Sequence, residues 1–383
     1  MSEWKDVAIS DIAILKNGKK RPSIKGPIPV YGGNGVMDTV DTYNDEDCIA
    51  IGRVGAYCGC VYLAKGKVWI SDNAISAKAN NNADNVYLYY LLGSLNLNRY
   101  RIGGAQPLMT QDLIGRIEIS LPPLVEQRNI ASILSSLDDK IAVNKKICEN
   151  LEAQAQALFK HWFVDFAPFK DGKFIESELG LIPEGWRVGK LEEMASVVGS
   201  GGTPKSSVKE YYVGDILWYG TGEFNDSFIY DSEKHISQEA INNSSAKIFP
   251  IHTVLIAMYG ATVGKLAILS NEASFNQAAL GIVAADNIGF PFIYLTLLAC
   301  RKQLIRLACG AAQQNLNAGT IKSHLAIIPN DNAMMLFNDL ILPIFEKIEC
   351  LQNESLRLAT LRDTLLPKLM SGQIKVNEIE KSL

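Results

Sequence analysis

GSGGTPKS at residues 199–206 comes within one residue of the phosphate loop GxxxxGK[ST], whose backbone N–H groups cradle a nucleotide's phosphates. Pro204 stands where the second glycine belongs, and proline has no N–H to offer. GATVGKL (260–266) has three residues between its glycines where the loop has four, and Leu in place of Ser or Thr. A turn between strands accounts for both. Cys58 and Cys60 form a CxC, but no second pair stands at zinc-ligand spacing and the four histidines (161, 235, 252, 324) are scattered, so no metal is expected. Those histidines also lack Ser, Cys or Asp in a nucleophile setting. There is no Asn-Pro-Pro-aromatic or Asp-Pro-Pro-aromatic tetrad for amino-methyl transfer, and no acidic pair leading to a Glu-x-Lys of nuclease type. The chemistry that remains is recognition, carried by charge and hydrogen bonds. KNGKKRPSIK (16–25) is the densest basic run.

Such residues need elements to hold them. A chain of 383 residues exceeds one hydrophobic core, so two or more domains are expected. No apolar run approaches the roughly 20 residues that cross a bilayer, and MSEWKDVAIS lacks a signal peptide's layout. Seven cysteines, an odd number, fit reduced thiols and a cytoplasmic location better than a disulfide frame. A net charge of −4 argues against coating nucleic acid by charge alone. Lys+Arg and Asp+Glu nearly balance in residues 1–120 (13 against 12) and 186–330 (11 against 11). They tilt acidic in 121–185 (7 against 10) and 331–383 (6 against 8). A nucleic-acid role therefore needs local basic loops and partners that add positive charge.

The acidic stretches read as helices. Ile130, Leu134, Leu137, Ile141, Asn144, Cys148, Leu151, Ala155, Leu158 and Trp162 follow alternating steps of four and three. That 3.5-residue period calls for a partner helix alongside, and one buried Asn is a common register pin.

The partner lies in the same chain, because the sequence repeats. WKDVAISDIA (from residue 4) returns as WRVGKLEEMA (from 186), and GRVGAYCGCVYLA (52–64) as AMYGATVGKLAIL (257–269). Asp72-Asn73-Ala74 answers to Asn276-Gln277-Ala278, GAQPL (104–108) to AQQNL (312–316), and Pro122 to Pro329. Carrying the last shift of 207 onward places a second seam at Phe337, Ile341, Ile344, Ile348, Leu351, Ser355, Leu358, Arg362, Leu365 and Leu369. Ser355 and Arg362 depart from an apolar pattern. Pro343 is expected to mark a late start or kink, and Pro367 a weakened end.

The fold class expected is α+β: two mixed α/β domains separated by two long helices that form an intramolecular coiled coil, with pseudo-two-fold tandem symmetry. The first domain covers 1–121. Residues 122–185 hold helix 1 (about 124–166) and a linker from 167, the second domain covers 186–330, and 331–383 hold helix 2 (about 332–370) and a tail. Helical stretches are expected at 85–100 and 291–308. A helix of about 40 residues spans roughly 60 Å.

LPPLVEQRNIASILSSLDDKIAVNKKICENLEAQAQALFKHWFVDF (121–166) closely resembles the specificity subunits of type I DNA restriction–modification enzymes. GGTPKSSVKEYYVGDILWY (201–219), LRDTLLPKLMSGQIKV (361–376) and YGGNGVMDTVDTYNDEDCIAIGRVG (31–55) extend the resemblance over essentially the whole chain. It implies a non-catalytic reader whose two target recognition domains each hold half of a bipartite site in double-stranded DNA. The two helices would lie antiparallel, set the gap and dock two modification subunits, which carry S-adenosylmethionine and methylate an adenine in each half-site. A restriction subunit using ATP and Mg would join for cleavage. No cofactor is expected in this chain.

Phosphate candidates are Lys19, Lys20 and Arg21. Asn34, Arg53 and Tyr57 sit among glycines that let backbone approach a partner, and Arg is a common base reader. Gln106 and its repeat mate Gln314 can hydrogen-bond base edges or serve both domains structurally. In the second domain the corresponding candidates are Lys205, Lys209, Tyr259, Lys265, Asn315 and Asn317. Trp162 and Leu158 read as seam packing. Two rival readings stand beside this one. A coiled-coil adaptor without a DNA role predicts no complex with modification subunits. A DNA-modifying enzyme predicts methyl transfer by the chain alone.

Overall fold

A computed structural model describes residues 4–103, 107–307 and 315–376. The chain divides into two units: Met1–Ala142 with Leu356–Leu383, and Val143–Ser355. Each unit takes one globular part and half of each long helix.

Unit 1 centres on a six-stranded sheet in the order Ala13–Asn17, Ala74–Ala79, Asp45–Gly52, Val61–Ile70, Ile28–Gly32, Gly35–Val40. Its middle strand shows why the sequence is β. Successive side chains leave a strand on opposite faces, and here both faces are covered. Ile49 and Ile51 pack on one side with Ile75, Tyr87, Leu88 and Leu91. Cys48 and Ala50 pack on the other with Ala64, Val68 and Ile70. Helix Asn85–Ser94 closes the first face, with Asp84 capping it by accepting from the N–H of Val86 and Tyr87, both 2.9 Å. A shorter 3-10 turn, Leu97–Tyr100, completes the helical stretch expected at 85–100.

Unit 2 repeats the plan with a five-stranded sheet, Ala195–Ser200, Ala279–Ala284, Val254–Ala257, Leu266–Leu269, Phe228–Ile229. A three-stranded sheet (Lys234–Ile236, Ile216–Tyr219, Ser274–Phe275) stands beside it. Val254, Ile256, Leu266 and Ile268 face the helices, and Leu255, Ala257, Ala267 and Leu269 face the other way. Helix Phe290–Leu307 covers the first face.

The two long helices are Leu124–Phe163 and Asp331–Met370, 40 residues each. Asn330 caps the second by accepting from Ala333 N–H at 2.9 Å. The late start expected at Pro343 does not occur. The helix begins 12 residues earlier (343 − 331) and runs on through both Pro343 and Pro367, because the apolar residues ahead of Pro343 (Ala333, Met334, Phe337, Ile341) are buried in the core. Packing outweighs one lost backbone hydrogen bond.

Within unit 2 the pairing is antiparallel. Asn144 meets Leu351, Glu354 and Ser355, Cys148 meets Ile348, and Phe159 and Phe163 reach Phe337. Within unit 1, Asp138 meets Arg362, while Ile130, Leu134 and Leu369 share its core. The two seam departures thereby have partners: Ser355 Oγ accepts from Asn144 Nδ2 at 3.3 Å, and Arg362 pairs with Asp138 at 2.5 Å. Asn144 is fully buried, its Nδ2 2.7 Å from the Glu354 carboxylate and its Oδ1 without a partner. Of the other seam positions, Leu137, Ile141, Leu151, Leu158, Ile344, Leu358 and Leu365 are half-buried; Ile130, Leu134, Cys148, Ala155, Trp162, Phe337, Ile341, Ile348, Leu351 and Leu369 are buried.

The stretch 167–185, expected to be a linker, is structured. Phe174–Ser177 and Gly180–Pro183 form a hairpin. Phe166, at φ +50, turns its ring onto Trp186 and Phe174, and Phe169 stacks edge-on against Trp186. Apolar side chains this large gain more from burial than a free linker gains in entropy. After the second helix, Gly372 takes a positive φ against the Trp4 ring and Val376 enters the core of unit 1.

Candidate nucleic-acid interface

One end of the unit 1 sheet gathers several loops. Gly18 N–H donates to Ala74 O (3.0 Å), Lys19 N–H to Ile70 O (2.9 Å), Ser71 N–H to Tyr31 O (2.9 Å) and Arg53 N–H to Asn73 O (2.9 Å). Met109 N–H donates to Arg53 O at 2.8 Å, and Val54 bridges Leu108. The approach is close enough to require glycine: a Cβ on Gly18 would lie 1.9 Å from Ser71 O, and one on Gly52 would lie 2.0 Å from Tyr57 O. These joints bring Lys19, Asn34, Arg53 and Tyr57 to one edge, with Lys20 and Arg21 following Lys19. Asn34 Oδ1 accepts from the Tyr62 hydroxyl at 3.2 Å. Burial raises the pKa of Tyr62 and of the Cys58 thiol, which keeps both protonated as donors. Arg53 Nε is buried without a hydrogen-bond partner, an uncompensated donor of the kind a bound acceptor would satisfy.

Unit 2 builds the same joints from different residues. Gly201 N–H donates to Ala279 O (3.2 Å), Gly202 N–H to Phe275 O (2.9 Å), Met258 N–H to Ala278 O (2.7 Å) and Leu316 N–H to Met258 O (2.9 Å). A Cβ on Gly201 would lie 2.1 Å from Phe275 O, as on Gly18. The loop Gly55–Gly59 and its repeat Gly260–Gly264 share their closing bonds: Gly59 N–H to Gly52 O at 2.8 Å, and Gly264 N–H to Ala257 O at 2.9 Å. These bonds correct two repeat registers read from the sequence. Ala74 answers to Ala279, a shift of 205, and Leu108 answers to Asn315, a shift of 207. Short identities such as Asn-Ala slide by one residue; backbone pairing does not.

Tyr259 and Lys265 are exposed on the unit 2 loop, and Tyr259 bridges Asn315. Asn317 caps helix Ala318–Lys322, accepting from Thr320 N–H at 2.8 Å, as Thr110 caps Gln111–Gly115. Its side chain is committed to the fold. Lys205 and Lys209 are exposed; Lys209 opens the 3-10 turn Lys209–Tyr212, whose Tyr212 hydroxyl donates to Pro204 O at 2.8 Å. Gln106 and Gln314 lie outside the described residues. Sequence reasoning overlooked Asp38, which pairs with Arg21 and Lys25, and the contact between Thr203 and Gln277. The repeated Asp72-Asn73-Ala74 and Asn276-Gln277-Ala278 segments were the available signal for the second. Among the described residues no group of His, Cys, Asp or Glu gathers as a metal site, and no helix is long and apolar enough to cross a membrane.

A duplicated mixed α/β chain, with one loop architecture built twice and paired long helices, defines the class. The family model for the type I restriction modification DNA specificity domain matches it twice, over residues 1–153 and 183–357. The chain belongs to that family: it is a specificity subunit, a DNA-recognition component without catalytic activity of its own. It is 29% identical over 332 residues to the type I restriction enzyme HindI specificity subunit of Haemophilus influenzae, covering 71% of this chain and 72% of that one. It is 28% identical to the MjaIX specificity subunit of Methanocaldococcus jannaschii, covering 84% and 76%. A crystal structure of the type-I restriction-modification system S subunit from M. genitalium matches with a TM-score of 0.68 at 18% identity, over 96% of each chain, a likeness of fold.

Proposed function

We propose that each unit reads one half of a bipartite DNA site with its loop edge, and that the helices fix the gap and dock two modification subunits. The observation that carries this reading is the loop edge built twice with equivalent backbone bonds but unlike side chains. Unit 1 presents Arg53 where unit 2 buries Met258, which suits one frame reading two different half-sites. Lys19, Lys20 and Arg21 in unit 1, and Lys205, Lys209 and Lys265 in unit 2, are the phosphate contacts. Arg53, Asn34, Tyr57, Tyr259 and Asn315 are the proposed base contacts.

Exposed apolar residues support docking on the helices. Val143 and Ile147 stand one turn apart on the first, and Leu336 and Leu340 on the second, 39–50% exposed. Paired apolar residues left in water on a helix suit a protein partner. An adenine inside a duplex must be flipped before methylation, so S-adenosylmethionine chemistry belongs to the modification subunits. ATP and Mg belong to a restriction subunit in the same cytoplasmic complex. The test is methylome sequencing of a host with and without the gene. The reading expects one adenine-methylated motif of two defined halves and an unspecified gap; swapping residues 1–120 for another reader domain should change one half alone. A contiguous motif, or an unaltered methylome, would refute it.

A further inference from the structure

The basic segment of unit 1 is fastened by one carboxylate. Asp38 lies on strand Gly35–Val40, opposite Val30, with its side chain 17% exposed. Its Oδ2 pairs with Arg21 Nη1 at 2.5 Å, and its Oδ1 takes Lys25 Nζ and the N–H of Thr39. The same segment is clamped at both ends. Gly18 and Lys19 donate to Ala74 O and Ile70 O, and Trp69 Nε1 donates to Lys19 O at 3.2 Å. Asp41 N–H donates to Ile24 O at 3.3 Å, and a Cβ on Gly26 would lie 2.4 Å from Asp41 Cα. Lys16, Lys19 and Lys20 stay exposed and make no ion pair among the described residues. Arg21 Nε and Nη2 have no hydrogen-bond partner among the described residues.

We propose that Asp38 is a positioning residue for DNA binding by unit 1, holding residues 18–26 as a fixed strap that presents Lys19, Lys20 and Arg21 to phosphates. The inference rests on the DNA reading above. A carboxylate beside a phosphate-binding surface repels the ligand, so Coulomb's law alone predicts tighter binding when it is removed. Fixing the strap works in the opposite sense, because a free loop must be ordered on binding. The sign of the change therefore decides between the two. Unit 2 ties its corresponding segment with neutral groups, Thr203 to Gln277 and Trp218 Nε1 to Gly202 O, so the effect belongs to unit 1.

The test measures binding of the full chain, in complex with its modification subunits, to a labelled mixed-sequence duplex of about 30 base pairs across a salt series. Asp38→Asn is expected to weaken binding about 3- to 10-fold near 0.1 M salt and to lower the salt slope by about 0.9, the value of one phosphate contact. Asp38→Glu should restore most of the affinity. In an Arg21→Gln/Lys25→Gln background, Asp38→Asn should add no further loss. Unchanged or tighter binding by Asp38→Asn, while Arg21→Gln and Lys19→Gln/Lys20→Gln weaken it, overturns the proposal and leaves the DNA reading standing. If none of the cation variants changes binding, the DNA reading of this loop fails and the strap's role with it. Should Asp38→Asn not fold, Arg21→Lys keeps the charge but loses the planar guanidinium whose Nη1 meets Asp38 Oδ2. A loss is then expected, and unchanged binding rejects the proposal.

Discussion

Replacing Arg362 with Met tests how the helix pair holds together inside unit 1. Arg362 Nη1 lies 2.5 Å from Asp138 Oδ1 and its Nη2 lies 2.8 Å from Asp363 Oδ1. The other Asp138 oxygen accepts from the Tyr90 hydroxyl at 2.5 Å, so one carboxylate joins both long helices to the helix over the sheet. Arg362 and Asp138 are 28% and 29% exposed. Exposed pairs contribute about 0–1 kcal/mol, and breaking a buried pair costs about 3–5 kcal/mol; this pair lies between. Arg362→Met keeps the apolar stem, so the expected cost is about 2 kcal/mol, mainly from leaving Asp138 with only the Tyr90 hydroxyl. In a unit of this size that lowers the melting temperature by about 4–8 °C. Asp138→Asn should cost about 1–2 kcal/mol, and the double variant should lose less than the sum, with a coupling of about 1 kcal/mol. Calorimetry of the four proteins of this cycle measures the coupling. Additive single losses, with coupling under about 0.3 kcal/mol, would show that the pair is only a surface contact.

Trp162, buried against Phe169 and Phe337, anchors the other half of the pair, and Trp162→Ala should cost about 3–5 kcal/mol. Hydrogen exchange should show the loss in unit 2 and spare the unit 1 sheet. Burial, then the neighbouring Glu149, raises the pKa of Glu152. Its protonated form is favoured in the fold, so its stabilising contribution is present below about pH 4.5 and is lost as pH rises through the folded value. Glu152→Gln should therefore raise the melting temperature at neutral pH, and the gain should vanish near pH 4; a loss at neutral pH would contradict the sign. Inserting four residues near Asn144 adds about 6 Å of helix, close to two base-pair steps. Methylome sequencing should find the gap between half-sites changed and both half-sites kept.

The seam was legible because heptad spacing survives in a single sequence, and its polar exceptions proved to be paired groups. Phe159 and Phe163 escaped the pattern. Each half-helix touches its globular domain as well as its partner, so its buried face is wider than a two-residue seam, and both rings pack on Phe292. The hairpin after the first helix was missed because its strands are four residues long, and the ring packed on it, Phe166 against Phe174, comes from the turn that ends the long helix rather than from any strand pattern. The glycine loops were visible as candidates since close backbone approach demands that residue. Asp38 was not: its hold on Arg21 crosses 17 residues and two strands, and nothing in the spacing of charges announces it.

The duplication raises a question of partner choice that these residues answer. Under the shift of 207, Arg362 corresponds to Ala155 and Asp138 to Phe345. Both counterparts are buried in unit 2, so the repeat has become ionic in one half and apolar in the other. If a first helix paired with the first helix of another copy, Asp138 would face the position of Ala155 and lose its guanidinium. A half-buried carboxylate left without that partner is penalised, and Ala155 has no charge to offer it. The two halves of the seam thus specify their own mates and disfavour the symmetric pairing that a tandem repeat otherwise allows. A chain whose two loop edges carry unlike side chains keeps both only under that rule, because a symmetric assembly would present the same edge twice.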